Sequence, residues 1–169
     1  MKKETLILLT MIFVAGCGNP PPVSQTKEQA DASTAKRQEM AKVRSEHFIQ
    51  RGAEALEKRD YAVALKSFDE AIRVNPQDPE GYIVLGETYM HLKSYEKALD
   101  TLTAGLQVDP ENGRLNYTMA VTHNMLGDQD YAIKFAQKTV EIYQKAKDPE
   151  NFKRALGLLH SVSNAKKQE

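Results

Sequence analysis

Apolar residues along most of this chain recur at three- and four-residue spacing, which is the period of an amphipathic helix. Phe152, Ala155, Leu156, Leu159 and Val162 make one such stripe, with Lys153, His160, Asn164 and Lys166 on the other side. Helix ends are written in the same way. Pro76 and Pro110 force Asn75 and Asp109 out of helical geometry and stop the helices before them. Asp148-Pro149-Glu150 reads as a start: an N-cap, a proline in the first turn and an acid near the positive helix end. Gly127-Asp128 marks a turn, and the helix after it meets no proline at Gln144, so it runs on to about Ala146. Ser33 is placed to cap a helix running through Met40, Val43, His47 and Leu56. The pattern predicts seven helices and essentially no strand.

A longer period lies over this one. Gly52, Gly86 and Ala120 are 34 residues apart, and so are Ala64, Ala98 and Ala132. Pro76 and Pro110, Phe48 and Tyr82, and Tyr61 and Tyr95 repeat the same step. Gly or Ala at the first two registers lets paired helices cross closely, and Ala71 and Gly105 do so against the following helix. Phe48, Leu56, Leu65, Phe68, Tyr82, Leu85, Tyr89, Leu92, Leu99 and Leu102 fill the space beside these crossings. One helical pair cannot bury its apolar face alone, whereas stacked pairs can.

A 34-residue unit of two helices resembles the tetratricopeptide repeat, over residues 45 to about 146. The resemblance implies an all-α, right-handed solenoid occupying 34–168. It has three helix-turn-helix repeats, at about 45–78, 79–112 and 113–146, an extended first helix and a capping helix at about 149–165. Several positions depart from the family pattern: Arg51 and Ala55 in repeat one, Leu102 in repeat two, and Asn116, His123 and Gln144 in repeat three.

In that family the first helix of each repeat lines an inner groove. Carried over, the groove receives Glu46, Ile49, Ala53 and Leu56, then Glu80, Ile83, Glu87 and Met90, then Arg114, Tyr117, Val121 and Asn124. The expected partner surface is Ile49, Ala53, Ile83, Glu87, Met90, Tyr117, Val121 and Asn124, with Tyr117 as an aromatic anchor and Met90 as an adaptable contact. The family's clamp for a free carboxylate tail needs Lys and Asn where Ile49 and Ala53 stand, so such a tail is not expected here. Ile49, Leu56, Ile83 and Val121 have a second reading, as packing between adjacent helices.

The first residues read as an address, outside the fold. Lys2 and Lys3 precede an apolar run from Leu6 to Ala15, too short for the roughly 20 residues a membrane-spanning helix requires. Val14-Ala15-Gly16-Cys17 follows and is similar to the lipobox of bacterial lipoproteins. That likeness implies a signal peptide at 1–16, a lipidated Cys17 and an envelope location. With Gly18 after the cysteine, the expected site is the outer membrane facing the periplasm. Pro20-Pro21-Pro22 and the small polar residues after it read as a tether over 17–33.

Composition narrows the functions. The 169 residues hold 23 Lys+Arg and 23 Asp+Glu, which argues against a broadly basic nucleic-acid binder. A single cysteine excludes an intramolecular disulfide. Phosphate-loop, nucleophile-elbow and His-Glu-x-x-His motifs are missing, and the four histidines form no metal-ligand spacing. We therefore expect no catalytic residue, cofactor or metal. The expected function is a lipid-anchored periplasmic scaffold that holds a peptide segment or helix of another envelope protein. Type IV pilus or secretin biogenesis is one setting; recruitment of peptidoglycan enzymes or outer-membrane protein assembly is another. An envelope enzyme with an unrecognised carboxylate site is the contrasting class.

Overall fold

A computed structural model describes residues 23–166, with side chains from Ala30 onward. Its described residues form seven helices: α1 (Val23–Glu57), α2 (Tyr61–Val74), α3 (Pro79–His91), α4 (Tyr95–Val108), α5 (Gly113–Leu126), α6 (Gln129–Lys145) and α7 (Pro149–Lys166). The expected all-α class is observed. The chain divides into a unit ending at Ala35 and a body from Lys36 onward.

In the first unit the described residues are the start of α1. The helix begins at Val23, ten residues before the expected cap at Ser33, so residues 23–33 are helical and not an unstructured tether. The physical reason is local. Ala, Gln, Glu and Lys dominate this stretch, with no Pro or Gly after residue 22. Ser33 and Thr34 then bond back to the Ala30 carbonyl at 2.8 and 2.9 Å, inside the helix instead of opening it. Pro20, Pro21, Pro22, Cys17 and the stretch expected to be a signal peptide lie outside the described residues.

In the body, caps fix where each helix starts. Asp60 accepts from Val63 N, Asp78 from Glu80 N, Asn112 from Arg114 N and Leu115 N, and Asp148 from Asn151 N. Between the two helices of each repeat the chain passes through the left-handed region, at Arg59 (φ 57°), Lys93 (φ 57°) and Gly127 (φ 83°), again 34 residues apart.

The core lies in three clusters, one for each repeat. Ala55, Ala64, Phe68 and Leu85 make the first, and Ile83, Ala98, Leu102, Leu115 and Met119 the second. Ala120, Ala132, Ala136 and Val162 make the third. One column runs through all of them. Gly52 lies against the Phe68 ring and Gly86 against Leu102. One period further on, Ala120 shares its cluster with Ala136. The filling residue shrinks from Phe to Leu to Ala along the array, and in repeat three Val162 of α7 joins the cluster. Thr139 stands where Ala71 and Gly105 stand, and its hydroxyl is satisfied by the Phe135 carbonyl at 2.8 Å.

Candidate functional site

Stacking places equivalent residues of successive repeats side by side. Glu80 on α3 and Arg114 on α5 share one register and carry opposite charge, so they meet: Arg114 Nη1 donates to Glu80 Oε1 at 2.8 Å. The same guanidinium grips Glu87 with two bonds, Nε to Oε1 at 3.1 Å and Nη2 to Oε2 at 2.7 Å. Burial lowers the Arg114 pKa, but the bonds and charges of Glu87 and then Glu80 outweigh that, leaving it above its ordinary value. All three side chains are roughly half exposed, so the network fixes geometry more than it adds stability.

C-terminal to this network, Tyr117, Val121 and Asn124 follow on one face of α5, all half-buried. The Arg154 guanidinium of α7 lies 5.6 Å from the Tyr117 ring centroid, within cation–π range. Near the helix ends a crevice of about 230 Å³ opens between Glu87, Met90, His91, Tyr95 and Met125. Beside α5's first turn, Tyr143 closes over Gly113. Burial, with Asp148 nearby, pushes its phenol above the ordinary range.

The eight expected groove residues divide into three groups. Ala53 is exposed, while Tyr117, Val121 and Asn124 keep part of their surface. Glu87 is committed to Arg114, and Met90 packs on the second core cluster while its Sδ accepts from Thr122 Oγ1 at 3.0 Å. Ile49 is half-buried against the first cluster. Ile83 does not line the groove. It is 2% exposed, enclosed in the same cluster as Leu102 and Leu115 of the neighbouring helices, so at this position the packing reading holds.

The sequence did not point to Arg154, because α7 lies outside the 34-residue period. The Arg114 fork was open to discovery from opposite charges in one register. Among the described residues no group of three or more His, Cys, Asp or Glu is placed to hold a metal ion. His123 is a packing residue: its ring stacks on Tyr131 and Phe135, at 5.1 and 5.5 Å between centroids, with Nδ1 3.4 Å from Asp128 Oδ2. Among the described residues, no helix is long and apolar enough to cross a membrane.

Comparison with known proteins identifies the repeat. A family model described as "Tetratricopeptide repeat" matches residues 55–120. Small glutamine-rich tetratricopeptide repeat-containing protein 2 of Saccharomyces cerevisiae is 25% identical over 127 residues, covering 75% of this chain and 35% of its own length. The chain spans about a third or less of the first curated relatives it matches. The TPR2B domain of yeast Sti1, solved as a complex with pHsp70, has a TM-score of 0.68 at 19% identity, over 73% of this chain and 98% of that one. PcrH of Pseudomonas aeruginosa, solved with the chaperone binding region of PopD, has a TM-score of 0.64 at 24% identity, over 72% of this chain and 92% of that one. At these identities the two structures establish the fold.

Proposed function

The chain belongs to the tetratricopeptide repeat family, and from that premise we propose that its concave face holds a segment of another protein. One observation carries this reading. Ala53, Tyr117, Val121 and Asn124 keep accessible surface on the inner helices, while neighbouring residues of those helices are enclosed in the core. Two fold neighbours were solved as complexes with other proteins, one with the chaperone binding region of PopD and one with pHsp70. The Arg114 fork bears on the kind of segment. Three of its five N–H groups already serve two carboxylates whose combined charge exceeds its own, so it offers little to an anionic terminus. The groove suits a segment that inserts apolar side chains beside Tyr117 and Val121.

We further infer that the protein works in a bacterial envelope as a lipoprotein, on the strength of the apolar run Leu6–Ala15 and the Val14-Ala15-Gly16-Cys17 sequence. Assembly of a type IV pilus or secretin at the outer membrane is the setting we assign to it.

The test is a photo-reactive residue at Val121 of the full chain in its native host, against one at Thr103 on an outer helix. We expect one protein to be captured from Val121 only. The crosslink should map to one stretch of it, and a synthetic peptide of that stretch should bind the purified chain and lose affinity with Tyr117→Ala. Equal capture from both positions would remove the groove reading. For the anchor, Cys17→Ser should abolish labelling by a palmitate analogue; retained labelling would exclude lipidation at that cysteine.

A further inference from the structure

We propose that the outer face of α1, from Lys36 to Arg51, docks on an anionic lipid bilayer. Lys36, Arg37, Met40, Val43, Arg44, His47 and Arg51 stand at i, i+1, i+4, i+7, i+8, i+11 and i+15, the spacing of one helical stripe, and all are exposed. The opposite side of the same helix packs inward, with Ser45, Gly52 and Ala55 buried.

The chain's formal charge is zero, yet this stripe carries four Lys and Arg residues and no acid. Glu39 and Glu46 lie on its flank. None of the described ion pairs takes up Arg37, Arg44 or Arg51. Met40 and Val43, 58% and 55% exposed, sit among the cations. At one end the stripe borders a cleft of about 450 Å³ between α1 and α2, lined by Arg37, Met40, Ala41, Arg44, Arg73 and Val74. Arg73 also pairs with Glu70 there. Such a cleft has room and positive charge for a phosphate headgroup.

The shape favours a bilayer over an acidic protein. The stripe is a convex rod with two apolar side chains. That is too little apolar surface for the buried centre of a specific protein interface. It is suited to dipping below headgroups while long basic side chains reach the phosphates. Each cation near an anionic surface strengthens binding about fivefold, and salt screens the attraction. The contact uses residues of the folded body alone and is independent of the groove reading and of lipidation.

The experiment is co-sedimentation of the full chain, carrying Cys17→Ser so that no acyl group contributes. The vesicles are phosphatidylcholine alone or phosphatidylcholine mixed with phosphatidylglycerol. Binding to the anionic vesicles is expected to fall with added salt. It should weaken at least about tenfold in Arg37→Glu/Arg44→Glu. A charge-matched control, Lys134→Glu/Lys153→Glu, should bind like the unaltered pair. The leader's own affinity is common to all of these chains, and circular dichroism verifies that each is folded. Arg37→Gln/Arg44→Gln replaces the reversal if that pair unfolds. Three results overturn the proposal: binding indifferent to lipid charge, equal loss in both double variants, or a chain that ignores the vesicles and binds polyglutamate instead.

Discussion

The same substitution, Gly to Ala, should have opposite effects at two helical positions of this protein. In a helix interior the exchange gains about 1 kcal/mol, because alanine loses less conformational freedom on folding. At Gly157, exposed on α7, a Cβ meets nothing within 4 Å, so Gly157→Ala should keep about 0.5–1 kcal/mol of that gain. At Gly52 a Cβ would lie 2.3 Å from Phe68 Cε1, 2.6 Å from Cδ1 and 2.7 Å from Cζ. Carbon atoms in contact sit roughly 3.5–4 Å apart, so the ring must retreat by about 1 Å. It has little room to do so, being 1% exposed and packed with Ala55, Ala64 and Leu85. Overpacking of that kind costs about 1–3 kcal/mol, and three simultaneous clashes put it toward the upper end. The propensity gain is outweighed, and Gly52→Ala should destabilise by about 1–2 kcal/mol net. Adding Phe68→Ala makes the crossing like that of Ala120 and Ala136, two periods on, and the double variant should be about 1 kcal/mol less destabilised than the sum of the single changes in the double-mutant cycle. Urea unfolding followed by far-ultraviolet circular dichroism measures all four, with an unchanged slope as the check on cooperativity. The reasoning fails if Gly52→Ala is as stable as the parent, or if the two alanine variants shift in the same direction.

Further expectations concern turns and charges. Lys93→Gly should stabilise by about 0.5–1 kcal/mol, because φ is 57° there, whereas Gly127→Ala, at φ 83°, should destabilise by about 1 kcal/mol; thermal melts distinguish the two. Bonds from the Asn151 side chain and backbone hold the Asp148 carboxyl below the usual range, and the Lys138 bond does the same to Glu111. A depressed carboxylate contributes stability above its unfolded pKa and loses it as pH falls through the folded one. The start of α7 should therefore lose amide-exchange protection, taken relative to the intrinsic rate, only in acid, below the ordinary carboxylate range, and Asp148→Asn should make that protection less dependent on pH. Arg114→Ala and Glu87→Ala should couple by less than about 1 kcal/mol in unfolding, since both side chains are roughly half exposed; a larger coupling would mean the fork supports the fold.

The repeat was legible because its period is carried by backbone crossings. A Cβ at Gly52 or Gly86 would run into Phe68 or Leu102, Ala64, Ala98 and Ala132 are fully buried, and Pro76 and Pro110 allow no continuation. The start of α1 was not legible in the same way. Ser33 has the chemistry of a cap, and only the structure shows its hydroxyl bonded backward to Ala30. Ile83 failed for another reason. Its place in a repeat suggested the inner surface, but how far Leu102 and Leu115 close over it depends on how tightly three helices stack. The contact between Arg154 and Tyr117 joins the array to a helix with no counterpart earlier in the chain, so periodicity had nothing to say about it.

The column of Phe68, Leu102 and Ala136 gives the array a direction. A duplicated repeat two, inserted after itself, would meet Gly against Leu on both sides and extend the stack. A duplicated repeat three would set Ala120 against Ala136 with no Val162 to complete the cluster, since only one α7 exists. Lineages or designers lengthening this array are thus confined to growth ahead of its third module, whose inner surface is composed for α7 and not for another repeat.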